Sequence, residues 1–295
     1  MASITLNVDD STLQKILYFY EDYKVENKNP HALMMAKNNH TTITVYKSKK
    51  VLFQGENAEY EASIFQQNTT QSKKTVEQNT KDDYYLPSIG SDEVGTGDYF
   101  GPVVVCAAYV SDENIQKIKS LRIDDSKKLT DDEIKKIAPT LYQLLPYSLL
   151  CIKNEKYNEV MTGNMNLNKL KAILHKEAIT NLIKKLKTTP HIVIDQFCSV
   201  DNVNHYVNDR TFIKNVIFTT KAESKYLSVA CASIMARYKF LLEMDELSKA
   251  LNTTLIKGAS NKVDQQAEHL VKVHGKAILN KIAKVHFKNT EKLNI

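Results

Sequence analysis

Two periods of hydrophobic and polar positions run along this chain. Near the amino end Ile4, Leu6 and Val8 alternate with polar neighbours, the period of a half-buried strand. Asp10 and Ser11 are suited to capping a helix, and Leu13, Ile16, Leu17 and Tyr20 then fall at helical spacing. Alternation returns over Thr42 to Tyr46 and Val51 to Phe53, with Ser48-Lys49-Lys50 between them as a hairpin turn. A short helix over residues 59–66 would close the segment. These elements predict a small α+β unit over residues 1–65.

From Gln66 to Asp83 the pattern stops. The stretch QQNTTQSKKTVEQNTKDD has almost no large apolar side chain and cannot add to a core, so residues 66–83 read as a linker. Beyond it, Ser88-Ile89-Gly90 leads into Asp92-Glu93. The turn Gly95-Thr96-Gly97-Asp98 follows, and Val103 to Val110 is a continuous apolar run. The pair reads as a hairpin at the centre of a sheet. Apolar residues at 167, 170, 173, 174, 178, 182, 183 and 186 have helical spacing, with lysines expected on the opposite face and Pro190 as the stop. His191 to Asp195 and Val216 to Thr220 read as strands. Ser228 to Arg237 reads as a helix of small residues able to approach a sheet closely. The alternation predicts a layered α/β domain over residues 84–295.

Composition changes this picture little. Of 295 residues, 42% are hydrophobic and 25% charged, enough to bury a core. The longest apolar run is far too short to span a bilayer. The first residues lack a basic patch followed by an apolar stretch, so the expectation is a cytoplasmic protein without membrane association. Cysteines 106, 151, 198 and 231 form no C-x-x-C pair and read as reduced, buried thiols. Net charge is +6, distributed as −1 over residues 1–65 and +7 over residues 84–295. That excess suits a polyanionic partner, although many soluble proteins carry as much.

Four acids stand where an apolar strand runs out: Asp92, Glu93, Asp195 and Glu223. Strand ends on one edge of a sheet are where α/β proteins gather functional groups. Gathered together, these carboxylates would repel one another until some took up protons. A bound divalent cation relieves that repulsion. Oxygen ligands with no His or Cys beside them in sequence suit Mg²⁺ or Mn²⁺ rather than Zn²⁺. Two such ions ~4 Å apart form a clamp for in-line attack on a phosphodiester. The alternative is that each acid only forms a turn or caps a helix. Adjacent strand residues also face opposite sides, so Asp92 and Glu93 reach one site only if the backbone turns there. Gly90, Gly95 and Gly97 would permit such a turn.

The run Ser91-Asp92-Glu93-Val94-Gly95-Thr96-Gly97-Asp98-Tyr99-Phe100-Gly101-Pro102 resembles the signature of bacterial ribonuclease HIII, in the type 2 ribonuclease H group. The likeness continues through Asp125-Ser126-Lys127-Lys128-Leu129, Ile194-Asp195-Gln196-Phe197 and Lys221-Ala222-Glu223-Ser224. It extends to Ala232-Ser233-Ile234-Met235-Ala236-Arg237, Lys257-Gly258-Ala259-Ser260 and His286-Phe287-Lys288-Asn289-Thr290. The resemblance implies a ribonuclease-H-like catalytic domain of α/β class preceded by a small α+β, TATA-binding-protein-like domain. It implies an endonuclease that cuts the RNA strand of an RNA–DNA hybrid, with Asp92, Glu93, Asp195 and Glu223 holding two Mg²⁺ or Mn²⁺ ions. Products would carry 5′-phosphate and 3′-hydroxyl ends. Two positions depart from the related ribonuclease HII pattern. Glu223 stands where Asp is usual, and Gly95-Thr96-Gly97 stands where Gly-Arg-Gly or Gly-Lys-Gly is found. The second departure favours backbone contacts and counts against efficient recognition of a single embedded ribonucleotide.

Only the 2′-hydroxyl separates RNA from DNA at a given nucleotide. Gly95, Thr96 and Gly97 are therefore expected to read the ribose through backbone groups. Further substrate candidates are Ser126, Lys127 and Lys128, against a solvated loop, and Asn164, Asn166 and Lys169 at a helix amino end, against ordinary capping. Ser233 and Arg237 lie one turn apart, and Arg237 meets either phosphate or a nearby acid. His175 and His286 read as structural. In the amino-terminal unit, a sheet face with Tyr46, Phe53 or lysines 47, 49 and 50 is the expected duplex contact, the lysine cluster first, against a solvated turn. A monomer is expected. A non-catalytic nucleic-acid-binding protein and a two-metal nuclease of other specificity, such as a DNA exonuclease, remain as alternatives.

Overall fold

The structure is a computed structural model describing residues 2–27, 29–38, 41–55, 57–65, 84–121, 123, 129–186 and 190–293. The expected linker 66–83 and Ser126, Lys127 and Lys128 lie outside the described residues. The chain divides into two compact units, one built on each of two sheets.

The first unit holds an antiparallel sheet of five strands: β1 (Ala2–Asn7), β2 (Lys24–Val25), β3 (Ala32–Asn38), β4 (Thr41–Tyr46) and β5 (Lys50–Gly55), in the order β1-β5-β4-β3-β2. Helices Asp10–Phe19 and Ala58–Ser63 complete it. The cap of the first helix is Asp9, whose carboxylate accepts the Thr12 N–H at 2.7 Å, not Asp10 or Ser11. Asp10 sits in the first turn and pairs with Lys49. Leu13, Ile16 and Tyr20 pack against Ile43, Val45, Val51 and Phe53. Phe53 is completely buried, which corrects its expected role as a duplex contact. The buried Tyr20 hydroxyl donates to Glu61 at 2.5 Å, joining the two helices. Strands β2 and β3 escaped the sequence reading. Strand β3, ALMMAKN, is apolar on both sides and shows no alternation.

The second unit is built on a mixed sheet of β6 (Ser88–Val94), β7 (Val103–Val110), β8 (Tyr147–Ile152), β9 (His191–Asp195) and β10 (Val216–Thr219), in the order β10-β9-β6-β7-β8. Strands β6, β7 and β8 are antiparallel neighbours, while β9 runs parallel to β6 and β10 parallel to β9. The expected central hairpin is therefore β6–β7. Helices Leu227–Ala250 and Leu167–Ile183 pack on the sheet. The first is longer than its small-residue stretch suggested. It comes so near β6 that a Cβ on Gly90 would lie 2.2 Å from the Ser228 carbonyl carbon and the Val229 nitrogen. Ser88 and Ser228 share a hydrogen bond of 2.8 Å at the same contact. The second helix departs from the expected pattern at Lys171, which is buried with His175, whereas Ile173 is exposed.

Candidate active site

Strand β6 presents successive side chains to opposite faces of the sheet. Gly90 and Asp92 face the Leu227–Ala250 helix, whose Ser233 hydroxyl works against the rise of the Asp92 carboxyl. Ser91 and Glu93 face the Leu167–Ile183 helix. Lys171 Nζ donates to Glu93 Oε1 at 3.1 Å, and His175 Nε2 lies 2.8 Å from Oε2. His175 Nδ1 lies 2.7 Å from Ser91 Oγ, which is also 3.1 Å from the Cys106 carbonyl. The serine has one proton to donate. Given to Cys106, it leaves Nδ1 to donate to the serine; given to Nδ1, it leaves the ring hydrogen on Nε2, facing the Glu93 carboxylate.

Asp195 closes β9. Register places Ser91 opposite Ile194, so Asp195 follows on the face shared with Asp92. Asp195 Oδ1 accepts the Ala222 N–H at 2.9 Å. Ala222 opens the short turn Ala222–Ser224, in which Glu223 is 5% exposed. Lys221, with φ +55°, turns the chain from β10 into this segment.

The electrostatics differ between the two adjacent acids. Burial pushes the Asp92 carboxyl up to about 8, and the neighbouring Glu93 and Asp195 carboxylates add to the rise. Burial also works to raise Glu93, but the Lys171 ammonium and the His175 ring hold it down at about 2. Cys106, opposite Asp92 on β7, has its thiol pushed up by burial and by the Asp92 charge, so its sulfur stays protonated. Asp92 and Asp195 thus share a face, Glu223 is tethered to Asp195 through Ala222, and Glu93 turns to the opposite helix. Among the described residues, no three Asp, Glu, His or Cys side chains are grouped closely enough to hold a metal ion.

The glycine turn between β6 and β7 is tightly set at its base and open at its tip. Gly95 has φ +86°, and a Cβ there would fall 2.1 Å from the Pro102 carbonyl. Gly97 is exposed, with no atom within 4 Å of a Cβ position. Asp98 Oδ1 accepts the Gly258 N–H at 2.6 Å, and Tyr99 N–H donates to the Gly258 carbonyl at 2.9 Å. Those two bonds give the Lys257-Gly258 motif its place beside the turn.

The other candidates are dispersed. Asn166 caps the Leu167–Ile183 helix by accepting the Lys169 N–H at 2.8 Å. Asn164 is exposed in the preceding turn. Ser233 meets Asp92, and Arg237 pairs with Asp131 at 2.7 Å while donating to the Leu129 carbonyl. His286 stacks edge-on against Phe287. Lys171 and His175 were missed as parts of the site. Their signal is two polar residues four apart on the stripe that continues through Ala178 and Leu182.

Comparison with known proteins decides the family. A family model described as Ribonuclease HII matches residues 89–290, and one described as a domain of unknown function (DUF3378) matches residues 3–78. Ribonuclease HIII of Bacillus pumilus is 42% identical over 302 residues, covering 99% of this chain and 98% of its own. The chain belongs to the ribonuclease HIII branch of the ribonuclease HII family. The crystal structure of Bst-RNase HIII in complex with Mn²⁺ is similar at a TM-score of 0.70 and 38% identity, covering 99% of this chain and 98% of that one. The crystal structure of Aquifex aeolicus RNase H3 is similar at a TM-score of 0.57 and 28% identity, covering 96% and 99%. As a member of the ribonuclease HII family the chain is a metal-dependent endoribonuclease, and its fold is the expected ribonuclease-H-like α/β domain preceded by a small α+β domain. No helix among the described residues is long and apolar enough to cross a membrane.

Proposed function

We propose that the chain cuts the RNA strand of RNA–DNA hybrids internally, using two divalent ions, Mg²⁺ or Mn²⁺, and leaving 5′-phosphate and 3′-hydroxyl ends. Asp92, Glu93, Asp195 and Glu223 are the ligands in this reading. The observation that carries it is the register that sets Asp92 and Asp195 side by side on one face of the sheet, with Glu223 held next to them through the Ala222–Asp195 hydrogen bond; burial there pushes the Asp92 carboxyl up. Such a concentration of carboxylate is relieved by a cation of hard character. The acids offer hard oxygen donors, while the Cys106 thiol stays protonated and His175 Nε2 lies against Glu93. The solved Bst-RNase HIII complex with Mn²⁺ supports the same choice of ion.

Ions bound there would supply an activated water and positive charge for the departing oxygen. The protein's own residues do the remainder. Lys171 and His175 fix both Glu93 oxygens, Ser233 orients Asp92, and the Ala222 N–H orients Asp195. Gly95, Thr96 and Gly97 offer backbone groups to the ribose 2′-hydroxyl, and the open space above Gly97 leaves room for a strand to approach. Thr96 brings no cation to a phosphate, so runs of ribonucleotides are preferred over a single embedded one.

Cleavage of labelled hybrid, all-DNA duplex and single-ribonucleotide duplex, each with Mg²⁺, Mn²⁺ or chelator, tests the reading. Hybrid alone should be cut efficiently, and chelator should stop the reaction. Asp195→Asn should abolish turnover while hybrid binding persists. Comparable cutting of all-DNA duplex would refute the ribose-reading turn, and activity in chelator would refute the metal site.

A further inference from the structure

Lys284 is completely buried, an environment lysines almost never occupy without a partner. Its partners are main-chain carbonyls rather than carboxylates. Nζ donates to the Asp98 carbonyl at 2.8 Å and to the Gly101 carbonyl at 2.5 Å. It also lies 5.7 Å from the centre of the Tyr157 ring. The Lys284 N–H donates to the Tyr99 carbonyl at 2.8 Å, and Gly101 N–H donates to the Ile282 carbonyl at 2.9 Å. Phe100 and Ala283 form an isolated antiparallel bridge between these bonds. Asn154, also buried, donates a second hydrogen bond to the Gly101 carbonyl at 2.9 Å.

This arrangement is expensive for the fold. Burial pushes the Lys284 ammonium down to about 7, with Asp98 opposing the shift. An apolar side chain of similar volume would fill the space without that desolvation penalty. What the ammonium supplies is donors for two carbonyls in the second half of the glycine turn, where buried acceptors must be satisfied. At the tip of the turn, a Cβ on Gly97 would meet no atom within 4 Å. Its conformation is set from the base, and Lys284 is the side chain that spans the base from Asp98 to Gly101.

We propose that Lys284 is a positioning residue for substrate recognition: by fixing the Asp98 and Gly101 carbonyls it holds Gly95, Thr96 and Gly97 in the conformation that receives the ribose. The inference rests on the reading of that turn given above. Lys284 Nζ bonds to the Asp98 and Gly101 carbonyls and to none of the four acids. Its effect therefore falls on hybrid binding, not on the chemical step or on ion affinity.

Lys284→Met keeps length and removes the ammonium. With the full chain and Mn²⁺, the expected result is a hybrid KM raised about 10-fold with kcat within about threefold. Mn²⁺ affinity by titration calorimetry should stay within about twofold of the unaltered chain, and amide exchange over residues 95–102 should quicken while that of β9 does not. An unchanged KM, a loss confined to kcat, or a parallel loss of Mn²⁺ affinity overturns the proposal. If Lys284→Met does not fold, Lys284→Gln is measured instead; its amide still donates, and a KM raised several-fold is expected, with an unchanged KM again decisive against. Gly97→Ala separates this proposal from the reading beneath it. A methyl there meets no protein atom, so the fold is retained and hybrid KM should rise. If KM does not move in Gly97→Ala, the ribose-reading turn fails; if it moves there and not in Lys284→Met, only the role of Lys284 fails.

Discussion

Glu93 and Asp92 are neighbours in sequence, yet the protein treats their charges in opposite ways. Glu93 meets a cation or ring nitrogen on each oxygen, and its side chain and that of Lys171 are 12% and 8% exposed. Removing one member of such a buried pair leaves an uncompensated charge. Lys171→Met is therefore expected to destabilise the chain by roughly 3 kcal/mol, read from urea denaturation in chelator. Asp92 works the other way. Its folded value of about 8 lies above the ordinary 3.8, so proton binding favours the folded state. That contribution is full below the ordinary value and is lost as pH rises through about 8. Without metal, the chain should weaken from pH 5 toward pH 8. Asp92→Asn should flatten that slope and, at pH 8, exceed the unaltered chain by at least about 1 kcal/mol while losing activity. Urea midpoints at the two pH values check both statements.

At the scale of elements, the site depends on how closely the Leu227–Ala250 helix lies on β6. Gly90→Ala would drive a methyl into helix backbone that has no flexible end to move aside. A loss of roughly 3 kcal/mol or more is expected, measured by thermal or urea unfolding. Strands β9 and β7 were legible because apolar runs such as HIVID and VVVCAAYV have few other readings. The glycine turn was legible from composition, and Gly95 does carry the positive φ. Strand β3 was not, since Ala32 to Asn38 lacks alternation. Nor was the buried face of the Leu167–Ile183 helix. Lysine on a helix normally signals solvent, and only the fold reveals that Lys171 points at an acid 78 positions earlier. The opposition of Asp92 and Glu93 across the strand was stated from period alone, and β6 keeps that geometry.

On the scale of the whole molecule, the basic excess lies in residues 84–295, while residues 1–65 are slightly acidic. A net charge of −1 gives the amino-terminal unit little electrostatic pull of its own on a polyanion. Deleting residues 1–80 should raise the hybrid KM by ~10-fold through lost avidity, with kcat within about threefold; steady-state kinetics on hybrid decides it. An unchanged KM would contradict a substrate-holding role. One further consequence belongs to the sulfur beneath the acids. Cys106 and Cys231 are fully buried with thiols pushed upward, and Cys151 is raised to about 11. Thiolate is the form that alkylating agents and peroxide attack. The sulfur of Cys106, held in its protonated form opposite Asp92, should escape alkylation in the native chain, checked by iodoacetamide labelling with and without urea.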